Sequence, residues 1–425
     1  MHADEHVNPD VEEHSAIDQA SQHRYRVWKK NSPYLYDYVS TNSLLWPSLT
    51  VQFFPDLETA SSENPKDIQS QLVYQRLLLG TFTLGQGTDV ISFWRLPYYR
   101  DLNKSVNMDS LNYNSEKQEF ELPAVSKNKI RSLQSINHLG DVNKLRYMPQ
   151  NPDVIASSNN MGNMVVYNRT KHSSIKTLGT ENEINEPQLR LINKNRTYSG
   201  DIFAFDWNRQ REGVIVSGNM DGVINLFDIK SDYKNQDDTS IGARRHYDTS
   251  VGINDIEWIP NHDSIFLSAD DAGNLKLFDI RLESPDAVAV HNSNVACNSI
   301  SVNQNSYSIA SGHSDGSIGI FDVRTLSENS SVCSFQPHSE AITQVRWHPK
   351  FASVLGSSSS DKSVKIHDLG CFERCNGLRF SHEGHMLGVN DFDWSLHEDW
   401  MVASVADDNS LHIWTPAQQA LRCTV

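Results

Sequence analysis

Four stretches of one design recur beyond residue 201, and this recurrence restricts the fold more than any other feature. They are IFAFDWNRQREGVIVSGNMDGVINLFDI, INDIEWIPNHDSIFLSADDAGNLKLFDI, ITQVRWHPKFASVLGSSSSDKSVKIHDL and VNDFDWSLHEDWMVASVADDNSLHIWTP. Each alternates apolar and polar residues over short segments separated by turns. Trp207, Trp258, Trp347 and Trp394 mark the first segment, and Asp228, Asp279, Asp368 and Thr415 each follow 21 residues later. A weaker copy runs from Val302 to Asp322, and another carries Tyr147 and Asn168, again 21 apart. Two apolar strands around a Gly-rich turn between Arg76 and Leu96 supply a seventh. Trp207 to Trp394 spans 187 residues over four steps, about 47 per unit, which is the length of a propeller blade and too long for ankyrin or tetratricopeptide units. The turns Asp221-Gly222 and Asp315-Gly316 favour tight hairpins, so the unit is a small antiparallel sheet.

One such sheet has two apolar faces and exposed edges. Seven packed radially bury the faces and leave short, protected edges. The expected fold is therefore all-β, a seven-bladed propeller, with an N-terminal α-helix before it. The predicted organisation is a disordered acidic arm at 1–20, a helix and linker at 21–45, the propeller at 46–420 and a tail at 421–425. The strand LTVQFF at 49–54 is expected to latch the ring by completing the last sheet. Tyr25, Trp28, Ser32, Leu35 and Val39 follow helical spacing and predict a helix from about 22 to 40, with Pro33 as an obstacle. It packs one stripe on the propeller, while Tyr34, Leu35 and Tyr38 border a groove. Polar segments at about 98–130, 170–200 and 230–246 read as surface excursions.

Composition narrows the function. Lys plus Arg number 37 against 53 Asp plus Glu, a net charge of −16, which argues against holding bare DNA or an anionic membrane by general electrostatics and favours a basic partner. No apolar run is long enough for a membrane helix, and the start MHADEHVNPDVEEH lacks the apolar core of a secretory signal. Five scattered cysteines suit a reducing compartment, and Cys371 and Cys375 lack zinc-site spacing. His246, His291, His338 and His385 precede their units at similar distances. Turn acids such as Asp361 and Asp407 are their expected hydrogen-bond partners, in a structural role. Residues repeated once per blade are dispersed around a ring and do not gather on one substrate. Phosphate-loop, zinc-protease and nucleophile-elbow motifs are absent. The sequence thus points to a protein without catalytic residues, cofactor or metal site.

Residues Tyr25 through Pro416 resemble the histone-binding WD-repeat family that includes the retinoblastoma-associated proteins and the small subunit of fungal chromatin assembly factor 1. The resemblance rests on WKKNSPYLYDYVSTNSLLWPSLTVQFFPD, LRYMPQNPDVIA and HEGHMLGVNDFDWSLHEDWMVASVADDNSLHIWTPA. It implies a seven-bladed WD40 propeller that touches histones in two places. Leu35, Tyr38 and Phe380 match positions that receive the first helix of histone H4. The segment LGCFERCNGLR between Asp368 and Phe380 departs from the family's long acidic loop, with Glu373 its only acid. Asp141, Asn143, Asp201, Phe203, Asp270 and Asp407 match positions on the open face that hold the basic tail of histone H3. Asn254, Ala341 and Thr343 stand where relatives have two acids and an aromatic.

The resemblance implies a histone chaperone subunit of chromatin assembly factor 1. Its partners would be histones H3 and H4 and the large and middle subunits, with nucleosome assembly behind replication as the task. It further implies a nuclear location, with the cytoplasm as a second compartment, and neither sequence-specific DNA binding nor a membrane. The alternatives are a histone-binding subunit of a type B histone acetyltransferase complex and a general WD-repeat chromatin adaptor.

Overall fold

A computed structural model of the chain describes residues 18–59, 72–99, 112–114, 119–121, 130–174, 183–192, 200–233, 239–328, 331–371 and 377–421. Seven sheets of four or five strands are joined in a ring, each innermost strand packing on the next and the seventh on the first. Blades 1 to 7 begin with the inner strands Val51–Thr59, Val142–Met148, Ala204–Trp207, Ile253–Trp258, Cys297–Val302, Ile342–Trp347 and Val389–Trp394. Blade 2 gains a fifth strand, Ser240–Gly242, lying parallel to Leu189–Ile192.

The repeated tryptophans stitch neighbouring blades. The indole N–H groups of Trp207, Trp258, Trp347 and Trp394 donate to the carbonyls of Arg146, Asp206, Ser301 and Arg346 on the preceding inner strand, at 3.0–3.2 Å. A large apolar body fills the space between two sheets while its single donor meets a backbone acceptor that would otherwise be buried unpaired. This is why the same residue recurs at the end of the first strand.

The latch differs from the expectation. Residues 49–54 do not close the ring. Val51–Thr59 pairs with Leu72–Gly80 as the innermost strand of blade 1, where the apolar Val51, Phe53 and Phe54 suit burial on both sides. The strand that completes blade 7 is β1 (Tyr36–Ser43), which runs antiparallel to Ser410–Pro416 from Tyr36↔Pro416 to Ser43↔Ser410. Its half-polar composition suits an outer edge.

Helix α1 accordingly spans Gln19–Leu35, beginning and ending earlier than the spacing predicted. The Asp18 carboxylate caps its first turn by accepting from the Ser21 amide at 2.5 Å. Pro33 sits in the last turn, where the carbonyl of Lys29 loses its amide partner; the Ser32 hydroxyl donates to that carbonyl instead, at 2.9 Å. Beyond Leu35, pairing with blade 7 overrides the helical spacing of Val39. Trp28 anchors α1 to the ring. Its indole donates to the Tyr36 hydroxyl at 2.8 Å and stacks on His412, and the same hydroxyl meets His382 Nδ1 at 2.6 Å.

Candidate functional site

In five blades the inner strand carries a bulge one residue into the strand, and the bulged residue is Asn143, Asn254, Asn298, Thr343 or Asn390. A bulge frees a side chain from the pleat and re-aims it. Here each reaches sideways to a backbone carbonyl of the next blade, on Ile202, Cys297, Ile342, Val389 and Ser48 respectively, at 2.7–3.4 Å. These five bonds rim one end of the central channel. At the two remaining inner strands the matching place holds Leu49 and Phe203, whose side chains carry no donor for such a bond; Phe203 is exposed.

Hairpin turns surround this rim. Asp221, Asp271, Asp315 and Asp407 stand exposed on the turns of blades 3, 4, 5 and 7. Asp271 accepts from Asn254 at 2.7 Å and Asp407 from Asn390 at 2.8 Å, so the bulge residue and the turn acid act as a pair. Asp201 lies beside them, half-buried, and its carboxyl is raised above its ordinary pKa by burial and then by the charge of Asp141. Among the described residues, none of these five acids forms an ion pair with Lys or Arg. The rim is an acidic arc without its own counter-cations.

The channel beneath it is different. Its cavity of about 330 Å³ is lined by charges that are already matched. Arg346 meets Asp391 at 3.2 Å and Asp393 at 2.8 Å, and Lys144 meets Asp255 at 2.8 Å. A basic ligand would have to break buried pairs to enter, which costs several kcal/mol, on the order of 3 to 5. The rim is the more accessible acidic surface.

The structure separates the residues expected on this face. Asp201, Phe203 and Asp407 are at the rim and accessible. Asn143 is at the rim but buried in its bond to blade 3. Asp141 is buried with both oxygens engaged, by the amides of Thr83 and Leu84 at 3.0 and 2.8 Å and the Asn160 side chain at 2.7 Å. Asp270 does not join the group. It is fully buried, caps its own turn through the amides of Ala272 and Asn274, and pairs with Lys276 at 2.8 Å. Its neighbour Asp271 holds the place equivalent to Asp407. The signal was the separation of 17 residues from Asn254, which Asn390 and Asp407 share.

The side-groove residues also part company. Phe380 is buried beneath Tyr36 and Trp414, so it supports the groove and does not line it. Leu35 packs on the same cluster as Phe380 and stays partly exposed. Tyr38 lies past a register shift in β1 and packs on the opposite side, between blades 7 and 1. The outward face of α1 presents Arg26, Val27, Lys30 and Tyr34 instead. Glu373 lies outside the described residues.

The blade histidines are structural. His338 bonds to Asp361 at 2.9 Å and to Ser357 at 2.8 Å, as the spacing predicted. Burial alone would raise Asp361, but that bond and the His338 charge hold it well below the carboxylate range. His385 uses Ser410 and Ser404 and lies near Asp408, not Asp407, while His246 is exposed. His382, His385 and His412 bring ring nitrogens within 4.8 Å of one another. They do not converge on a common point: His385 and His412 stack face to face at 4.1 Å, and His382 spends its nitrogens on Tyr36 and His412.

The profile of the family described by the histone-binding protein RBBP4 and its counterpart in the CAF1 complex matches residues 23–98, and the WD domain, G-beta repeat profile matches 329–368 and 377–415. The chain is similar to the histone-binding protein MSI1 of Saccharomyces cerevisiae, with 32% identity over 95% of this chain and 96% of that protein. It is also similar to the histone acetyltransferase type B subunit 2 of Debaryomyces hansenii, at 28% identity over 92% and 89% of the two chains.

Proposed function

The chain belongs to the family of histone-binding WD-repeat proteins, and from that membership we propose that it is a non-catalytic histone chaperone subunit of chromatin assembly factor 1. The observation that carries the reading is the rim: Asp201, Asp221, Asp271, Asp315 and Asp407 crowd one face, and no described Lys or Arg neutralises them. A flexible basic segment such as the tail of histone H3 supplies the missing cations, and charge-assisted hydrogen bonds to carboxylates hold it. Asp201, Phe203 and Asp407 are contacts in this reading; Asp271 takes the place of Asp270, and Asp141 and Asn143 shape the rim. Histone H4 meets the side of the ring at α1, with Leu35 at the edge and Phe380 as its buried support.

The subunit performs no reaction. It holds H3–H4 for a complex whose larger subunits bring DNA, in the nucleus. With a net charge of −16, the ring does not attract free DNA itself. A second reading, substrate holder for a type B histone acetyltransferase, is favoured by the similarity to the Debaryomyces subunit over 92% of this chain.

Affinity purification of the tagged chain from nuclear extract tests the assignment. Recovery of H3–H4 with two large chromatin-assembly subunits is expected. An acetyltransferase as the dominant partner selects the second reading, and a preparation without histones contradicts both.

A further inference from the structure

The acidic arc is incomplete, and what interrupts it is apolar. The turns of blades 3, 4, 5, 6 and 7 carry Asp221, Asp271, Asp315, Asp361 and Asp407. In blades 1 and 2 the corresponding turns present Leu84 and Met161, which are 67% and 52% exposed. Leu139, on the crossing from blade 1 to blade 2, is 41% exposed, and Phe203 on blade 3 is 37% exposed. These four surround Asp141. Its carboxylate accepts from the amide of Leu84, its other oxygen takes Asn160 beside Met161, and Met161 lies against Gly140, next to Leu139. Asn159 ties the group together, receiving the Met161 amide at 3.0 Å and donating to the carbonyl of Leu139 at 2.7 Å. The apolar side chains are therefore fixed by buried polar bonds at their bases while their ends meet water.

Leu84 is the most informative of the four. Its backbone lies in the left-handed region at φ 52°, followed by Gly85 at 75°. A bulky residue is disfavoured there, and Asn or Gly is the ordinary occupant. The chain accepts this strain to place a leucine where it packs on little of its own protein, and strain held by surrounding bonds concentrates at sites of recognition.

We propose that the sector of the open face formed by blades 1 to 3 is a docking subsite for a large apolar side chain, and that the occupant is a flexible peptide in which this side chain stands next to a basic residue. The basic residue pairs with Asp201, half-buried beside Phe203 and free of any described cation. Its apolar neighbour covers Leu84, Met161 and Leu139. Charge complementarity fixes the partner's chemistry: an acidic peptide is repelled by the arc, and an apolar peptide without a cation leaves Asp201 unpaired. This inference rests on reading the open face as a surface for basic segments, and it adds a second requirement to that surface.

The test measures fluorescence polarisation of two capped, labelled peptides, Gly-Gly-Leu-Arg-Gly-Gly and Gly-Gly-Ser-Arg-Gly-Gly, against the full chain at two salt concentrations. Half-burial of a leucine side chain gives an expected preference of about fivefold for the leucine peptide. In Leu84→Asn with Met161→Gln that ratio falls to about one. Both sites are exposed and Asn tolerates the left-handed turn, so cooperative thermal unfolding of the variant accompanies the measurement. Equal affinity of the two peptides for the unaltered chain overturns the apolar subsite while leaving the acidic reading in place. A preference that survives in the double variant also overturns it. Absence of salt-sensitive binding by either peptide removes the acidic reading and this inference together.

Discussion

A single indole N–H connects the most visible sequence signal to the stability of the ring. In Trp394→Phe the ring's apolar bulk largely remains while the donor to the carbonyl of Arg346 is lost. The expected cost is about 1 to 3 kcal/mol, read as a lower urea midpoint; an unchanged midpoint contradicts the stitching role. Leu84→Gly should act in the opposite sense, raising the midpoint by about 1 kcal/mol through relief of the left-handed backbone, and a lower midpoint would show that Leu84 packs on its own fold. Residue identity was legible where one side chain does one job in every blade, as the tryptophans do. It was misleading at Asp270 and Asp271, adjacent acids of which one is buried in the turn and the other faces solvent. Only the partner Asn254 distinguishes them. Asp141 reads as a surface acid and is buried because turns of two blades converge on it.

Elements show a similar division. The strand alternation specified the blades, but the latch was misplaced because VQFF and YDYVSTNS both read as strands, and only the ring geometry decides which is innermost. Helical spacing continued to Val39 because Tyr36 and Val39 face the same cluster whether the backbone coils or extends. Two measurements bear on this scale. Removal of residues 1–43 should leave the strand Ser410–Pro416 with an open edge and yield aggregated protein; a monodisperse, folded product would contradict the latch. Trp28→Ala removes the anchor of α1 and should cost about 3 to 5 kcal/mol, with accelerated amide exchange confined first to residues 19–35. Exchange unaffected in α1 would place its anchor elsewhere.

The whole molecule buries histidines that must stay neutral. Burial lowers His138 and His348 to about 4 and His367 to about 3, against an ordinary value of 6.5. The unfolded chain therefore binds protons below pH 6.5 that the folded chain refuses, and stability falls as pH drops from 6.5 towards 4. The loss amounts to about 1.4 kcal/mol per pH unit for each group. A melting temperature that declines steadily across this window is expected, and a flat profile would mean these imidazoles are charged in the fold. Seven blades and the acidic balance were legible at this scale, because period and net charge are sums over many residues. The sector of blades 1 to 3 was not, since it depends on turns brought together across the ring.

The central claim is that the acids rimming the open face of this ring take up a basic tail. Calorimetric titration with a histone H3 tail peptide measures it directly, comparing the unaltered chain with Asp201→Asn, Asp271→Asn and Asp407→Asn combined. Salt-sensitive binding that weakens at least about tenfold in the variant, with the melting temperature unchanged, is the expected result. Equal affinity in a variant that is fully folded would contradict the account.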